Sequence, residues 1–249
     1  MTIVVFDTET TSLEKPFCYN IGYCIIDTEE WNTLCRKEFV VEQIWHNTAL
    51  FSSAYYADKR PRYVANMRAK KIRMMKYGYI TQEMIRDFEK FNVEYAFAYN
   101  SPFDEKVFNF NCDWFKCINP FDTIPIIDIR GTVCEFIIDD IYKAFCEHNN
   151  YFTDAGNYST TAETVYRYIT NDTDFIESHT ALNDAIIEAE ILKWCYESGA
   201  DITENYPVPR SIPRKILTKW KIKKGKEILF EIETTKLTVS KRYNTIRIE

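Results

Sequence analysis

The stretch that most constrains this chain is Val4-Val5-Phe6-Asp7-Thr8-Glu9-Thr10. A short β-branched, apolar run ends in two carboxylates spaced i, i+2. Side chains alternate along a strand, so Asp7 and Glu9 leave the same face of any sheet this run joins. Like charges side by side are costly unless a cation lies between them, most simply a divalent metal. The bland reading is a strand end with solvated acids, and the rest of the chain must decide between the two.

A length of 249 residues suits one large domain, or one domain with a small appendage, and 46% hydrophobic residues are ample for a core. No segment offers the roughly 20 uninterrupted apolar residues of a membrane span. The first residues lack a basic region and a cleavage site, so they read as a strand rather than a signal peptide. Eight cysteines form no C-x-x-C pair, and several sit inside apolar runs. They read as buried free thiols in a reducing cytoplasm, not as a zinc site or a disulfide framework.

Net charge is −6, but it is unevenly spread. Residues 205–249 hold 12 Lys/Arg against 4 Asp/Glu, whereas residues 1–204 hold 19 against 33. A second basic island, residues 59–76, contains no acid. An acidic body with two basic patches fits a metal-binding centre flanked by polyanion-binding surfaces.

In chain order, residues 2–6, 19–28 and 34–42 read as strands of an antiparallel meander. Helical spacing follows over 62–75, and Thr81 can cap a helix running to about Phe91. Tyr95–Tyr99 is a short strand ending in Asn100-Ser101-Pro102-Phe103-Asp104, where Ser101 can cap a helix and Pro102 can occupy its first position. Residues 124–129 suit a core strand or short helix. Helices are expected at 132–148, 159–170 and about 180–198, the last closed by Gly199. The proline-rich break Tyr206–Pro213 separates a domain over 1–200 from a basic β-rich extension over 206–249, expected as a small antiparallel unit with Gly225 near a turn. Strands first, then alternating helices and strands, give an α/β domain with a mixed sheet.

Four features now stand in order: Asp7/Glu9 at a strand end, Asp104 opening a helix, then His179 and Asp184 around another helix start. The motifs F-D-T-E-T-T-S-L, Y-N-S-P-F-D and H-T-A-L-N-D-A resemble those of the DEDDh-type 3′→5′ exonucleases, the group of polymerase proofreading subunits, ribonuclease T and oligoribonuclease. The resemblance spans roughly residues 2–198, and the His-x4-Asp spacing points to the histidine subgroup. It implies a ribonuclease H-like α/β fold, a mixed five-stranded sheet flanked by helices, and two bound Mg²⁺ or Mn²⁺ ions. Carried over residue by residue, Asp7, Glu9, Asp104 and Asp184 would be the ligands, Asp7 touching both metals. His179 would take the proton of the attacking water.

The same resemblance places Thr10 and Leu13 where relatives hold the terminal nucleotide, and Asn100 where a residue supports the site. Ser12 stands where the family often has Gly. Phe103 suits either a base-stacking surface or a core position. In the basic island, Arg68 and Lys71 are the candidates for phosphate contacts that guide the strand. The basic extension could also bind the strand, dock a partner or self-associate.

The expected activity is release of nucleoside 5′-monophosphates from single-stranded DNA 3′ ends. An RNA-trimming enzyme and a catalytically silent binding module on the same fold are the alternatives. The partners expected are single-stranded DNA or RNA 3′ ends and no membrane. Many relatives pair as homodimers, although no clear self-complementary face stands out here.

Overall fold

Burying both faces of the first hairpin dictates the architecture. The computed structural model describes residues 1–214 in full and the backbone of 216–224, 227–236 and 244–247. Strands β1 (Thr2–Thr10), β2 (Cys18–Asp27) and β3 (Asn32–Val41) form the expected antiparallel meander. Strands β4 (Arg73–Met75), β5 (Tyr95–Ala98) and β6 (Ile126–Asp128) complete a six-stranded mixed sheet in the order β4-β3-β2-β1-β5-β6. Helices α1 (Glu42–His46), α2 (Thr48–Phe51) and α3 (Arg60–Arg68), with a 3-10 turn at Ala57–Lys59, fill the excursion between β3 and β4. Next come α4 (Tyr77–Phe91), α5 (Ser101–Phe115), α6 (Ile129–Phe136), α7 (Asp140–Asn149), α8 (Ala162–Thr170) and α9 (Ala181–Glu197).

The alternation of β1 sorts its residues between two layers. Val4 and Phe6, with their cross-strand partners Ile25 and Tyr23, pack with Met84 and Phe88 of α4 and Val107 and Phe108 of α5. The Phe6 ring meets Phe108 edge-on and stacks on Phe121. Asp7 falls in the opposite register, on the face that α9 covers.

Several local expectations change. The sheet has six strands rather than five, because the helix expected over 62–75 ends at Arg68. Lys70 then adopts φ +58, and Arg73–Met75 pair in parallel with Phe39–Val41. That edge offered unpaired backbone groups, and satisfying them outweighed the helical spacing. Helix α4 starts at Tyr77, whose N–H donates to Gln43 Oε1, so Thr81 is a fully buried interior residue and not a cap. The helix expected over 132–148 is two helices. Asp128 caps the first, and buried Ile137 ends it.

The chain divides into two compact units, 1–139 with 161–208 and 140–160 with 209–249. In the second, Arg214 pairs with Glu147 and stacks over Phe152. There β7 (Ile216–Lys224) pairs antiparallel with β8 (Glu227–Lys236), while β9 (Asn244–Arg247) joins β7 in parallel, unlike the all-antiparallel unit expected. The turn expected near Gly225 lies outside the described residues. Among the described residues no helix is long and apolar enough to cross a membrane. All eight cysteines are free.

Candidate active site

Asp7 and Glu9 sit at the C-terminal end of β1, at the centre of the sheet. What reaches them is set by Gly22, the register partner of Asp7 on β2. A Cβ at Gly22 would stand 2.0 Å from the Leu182 backbone nitrogen, so the first turn of α9 rests directly on the β2 backbone. Asn20, the partner of Glu9, fixes the same turn, because its Oδ1 accepts the Ala181 N–H at 2.9 Å. These contacts bring Asp184, in the first turn of α9, over the β1 carboxylates.

Asp104 arrives from α5, on the other layer. Asn100 takes the left-handed conformation (φ +63) that turns the chain from β5 into this helix, and its N–H donates to Asp128 Oδ1. Asn100, rather than the expected Ser101, is therefore the flanking residue, and it works through its backbone. Ser101 is the first helical residue, so Pro102 stands second, one position later than expected. Thr8, pointing to the α5 face, donates its hydroxyl to Asp104 Oδ1 at 2.6 Å.

His179 also adopts a left-handed backbone, φ +49. Its ring is stacked on Tyr56, with centroids 4.2 Å apart and planes at 12°. Its Nδ1 lies 3.7 Å from Glu177 Oε2. One ligating atom from each of Glu9, His179 and Asp184 can be chosen so that all three lie within 4.8 Å of one another.

The electrostatics are those of a buried cluster of carboxylates, opposed in part by Lys59 and Arg62. Burial, and then the neighbouring Asp104, Glu188, Asp184 and Glu9, hold the Asp7 carboxyl well above its ordinary range. Glu9 is raised by burial and by Asp184, against the opposing pull of Lys59. Burial lifts Asp104 to about 7 and, with Glu177, lifts Asp184 to about 8. Burial and Lys59 push His179 down, which favours its neutral imidazole. The Asp184 side chain is buried, and its Oδ1 has no hydrogen-bond partner among the described residues. Hard oxygen donors, mutual repulsion and an unpartnered buried oxygen together fit divalent cations.

The structure thus gathers Asp7, Glu9, Asp104, Asp184 and His179. The other predicted site residues lie around this cluster or away from it. Thr10, the last residue of β1, donates its hydroxyl to the Ser12 carbonyl in the loop that follows. Leu13 is 74% exposed, and its carbonyl accepts from Lys106. Phe103 is half-buried against the α4/α5 core. Arg68 and Lys71 are exposed around the end of α3.

Sequence reasoning missed Glu188. It lies one turn beyond Asp184 on the same face of α9, is 4% exposed, and accepts the Tyr99 N–H at 3.2 Å. Burial, Asp104 and Asp184 hold its carboxyl well above the usual range. The available signal was an acid at i+4 from Asp184 on an otherwise apolar helix face. No comparable signal marked Tyr56, Asn20 or Gly22, which act through tertiary contact.

This arrangement of sheet, helices and carboxylates has the fold of the DEDDh-type 3′ exonucleases. The nuclease domain of 3′hExo, a DEDDh family member solved with rAMP, is similar at 12% identity, covering 85% of this chain and 97% of its own, with a TM-score of 0.54. A 3′-exonuclease solved for its recognition of the histone mRNA stem-loop gives 13% identity, 85% and 95% coverage and a TM-score of 0.59. A full-length 3′-exonuclease gives 12%, 86% and 95%, and 0.57. No protein-family model matches the sequence, and no curated protein matches it.

Proposed function

We propose that this chain is a divalent-metal-dependent 3′→5′ exonuclease that removes nucleoside 5′-monophosphates from single-stranded DNA ends. The observation that carries the reading is the convergence of Asp7, Glu9, Asp104, Asp184 and His179, from β1, α5, α9 and the loop before α9, onto one end of the sheet. Asp7, Glu9, Asp104 and Asp184 would hold the cations. When bound, these offset the carboxylate repulsion and supply positive charge to the scissile phosphate and the leaving 3′ oxygen.

The chain's own residues do the rest. Nδ1 of His179 faces Glu177, which leaves Nε2 as the atom that takes the proton from the attacking water. Thr8 holds the Asp104 carboxylate in orientation. Thr10 at the end of β1 and exposed Leu13 in the loop after it receive the terminal nucleotide, and Arg68 and Lys71 meet phosphates upstream. The basic segment 206–249 supplies a further polyanion contact.

RNA is the second substrate class, favoured by the neighbours solved with rAMP and with a histone mRNA stem-loop. The test is side-by-side digestion of 3′-labelled single-stranded DNA, single-stranded RNA and duplexes with recessed or overhanging ends. Mg²⁺- or Mn²⁺-dependent release of mononucleotides is expected. Absence of release from every substrate, with either metal, overturns the proposal.

A further inference from the structure

The excursion between β3 and β4 carries the basic island, yet two of its charges turn inward. Lys59 Nζ donates to the Ser178 carbonyl at 2.5 Å and sits 4.5 Å from the centroid of the Tyr56 ring. That ring lies flat on the His179 imidazole. The next residue, Arg60, stacks over buried Trp45 and Phe51, at 4.7 and 5.0 Å. Further on, fully buried Tyr63 donates to Asn20 Oδ1, the same oxygen that accepts the Ala181 N–H. The excursion therefore grips the loop before α9 at residues 178 and 179, meets residue 181 through Asn20, and is anchored in the core.

His179 needs such a grip. A non-glycine residue at φ +49 sits in the left-handed region, which an L side chain disfavours unless its surroundings hold it there. Released, the loop would relax and the imidazole would swing away from Glu9 and Asp184. A flat partner at 4.2 Å limits rotation of the ring, and the Lys59 bond pins the preceding carbonyl.

We propose that Tyr56 and Lys59 are positioning residues that clamp His179 in its reactive orientation, so that the excursion is part of the catalytic machinery as well as a guide for the strand. The proposal rests on the exonuclease reading for its kinetic consequence, but its geometry can be tested without activity. In the metal-free full-length chain, the His179 ring protons, assigned by comparison with His179→Ala, should be shifted upfield by the Tyr56 ring. The shift should persist in Tyr56→Phe and disappear in Tyr56→Ala. Ring protons that are unshifted in the natural sequence overturn the clamp.

With Mn²⁺ and a 3′-labelled oligonucleotide, Tyr56→Ala should lower kcat by about tenfold or more at nearly unchanged KM. Tyr56→Phe should restore it to within about threefold, and Lys59→Met should lower kcat in the same manner. A raised KM with unchanged kcat overturns the proposal and makes Tyr56 a platform for the substrate base. If the natural sequence hydrolyses no nucleic acid, the exonuclease reading fails, while the ring-proton shift still decides the clamp.

Discussion

The backbone nitrogen of Leu182 lies so close to Gly22 that a Cβ there would stand 2.0 Å from it. Because Gly22 is the cross-strand partner of Asp7, this one missing methyl group lets α9 place Asp184 over the β1 carboxylates. Gly22→Ala should push the helix off the sheet. Backbone, not a flexible side chain, must give way, so a loss of about 3 kcal/mol is expected, at the upper end of overpacking costs. That corresponds to a fall of roughly 10 °C in Tm, measured by calorimetry, together with loss of nuclease activity. An Ala variant of natural stability and activity would show that α9 does not depend on this contact.

Asp184→Asn and Asp7→Asn should each abolish hydrolysis while leaving the chain folded. At pH 8 both should raise the Tm of the metal-free protein, because each removes one member of a repelling cluster. Both should also reduce the further rise that Mn²⁺ produces. Thermal melts with and without the ion check both signs together.

The metal-free protein should become less stable as pH rises from about 4 to 8. Asp104 and Asp184 have folded pKa values near 7 and 8, above their ordinary values, and Glu38 is lifted by burial to about 7. Across that window the folded state binds more protons than the unfolded one, so stability falls with pH. Saturating Mg²⁺ should flatten the share due to Asp104 and Asp184 and leave that of Glu38. Melting curves in chelator and in Mg²⁺ from pH 5 to 8 test this, and parallel slopes would contradict the cage.

Glu188 couples charge to structure. Glu188→Gln keeps an acceptor for the Tyr99 N–H but removes a carboxylate from the repelling cluster, so it should weaken Mn²⁺ binding by roughly tenfold and, like the two Asp→Asn variants, raise the stability of the metal-free fold. Glu188→Ala removes that acceptor and opens a cavity in the buried face of α9, and should cost about 2–4 kcal/mol. Calorimetric titration of Mn²⁺ separates the two effects.

Reversing charge at Arg68 and Lys71 should raise KM on oligonucleotides without lowering kcat, and should flatten the dependence of KM on salt. Both side chains are exposed, so stability should be unchanged. An equal KM over a salt series would move the strand's path elsewhere, for example onto the basic C-terminal strands.

Much of this fold was legible because its signals are local. The β1–β3 meander, the helix opening at Ser101-Pro102 and the α9 helix closed by Gly199 follow from alternation, proline placement and 3.6-residue spacing. The failures share one cause. Arg73–Met75 became a strand because β3 exposed an edge, Thr81 was overtaken because Gln43 caps Tyr77, and residues 132–148 broke where Ile137 enters the core. In each case a partner distant in sequence outweighed a local preference.

By itself the sequence determined the chemical inventory: two carboxylates on one face of a strand, a third opening a helix, and a histidine five residues before a fourth. Spacing of that kind is written in covalent geometry and needs no partner. Only the tertiary structure decided which groups converge with them. Glu188 joins because α9 lies on Gly22, Asp104 turns inward because Thr8 holds it, and His179 is held because Tyr56 and Lys59 reach across from the excursion. The physical reason is that desolvation and contact depend on what packs nearby, and packing brings together residues separated by roughly 90 to 160 positions.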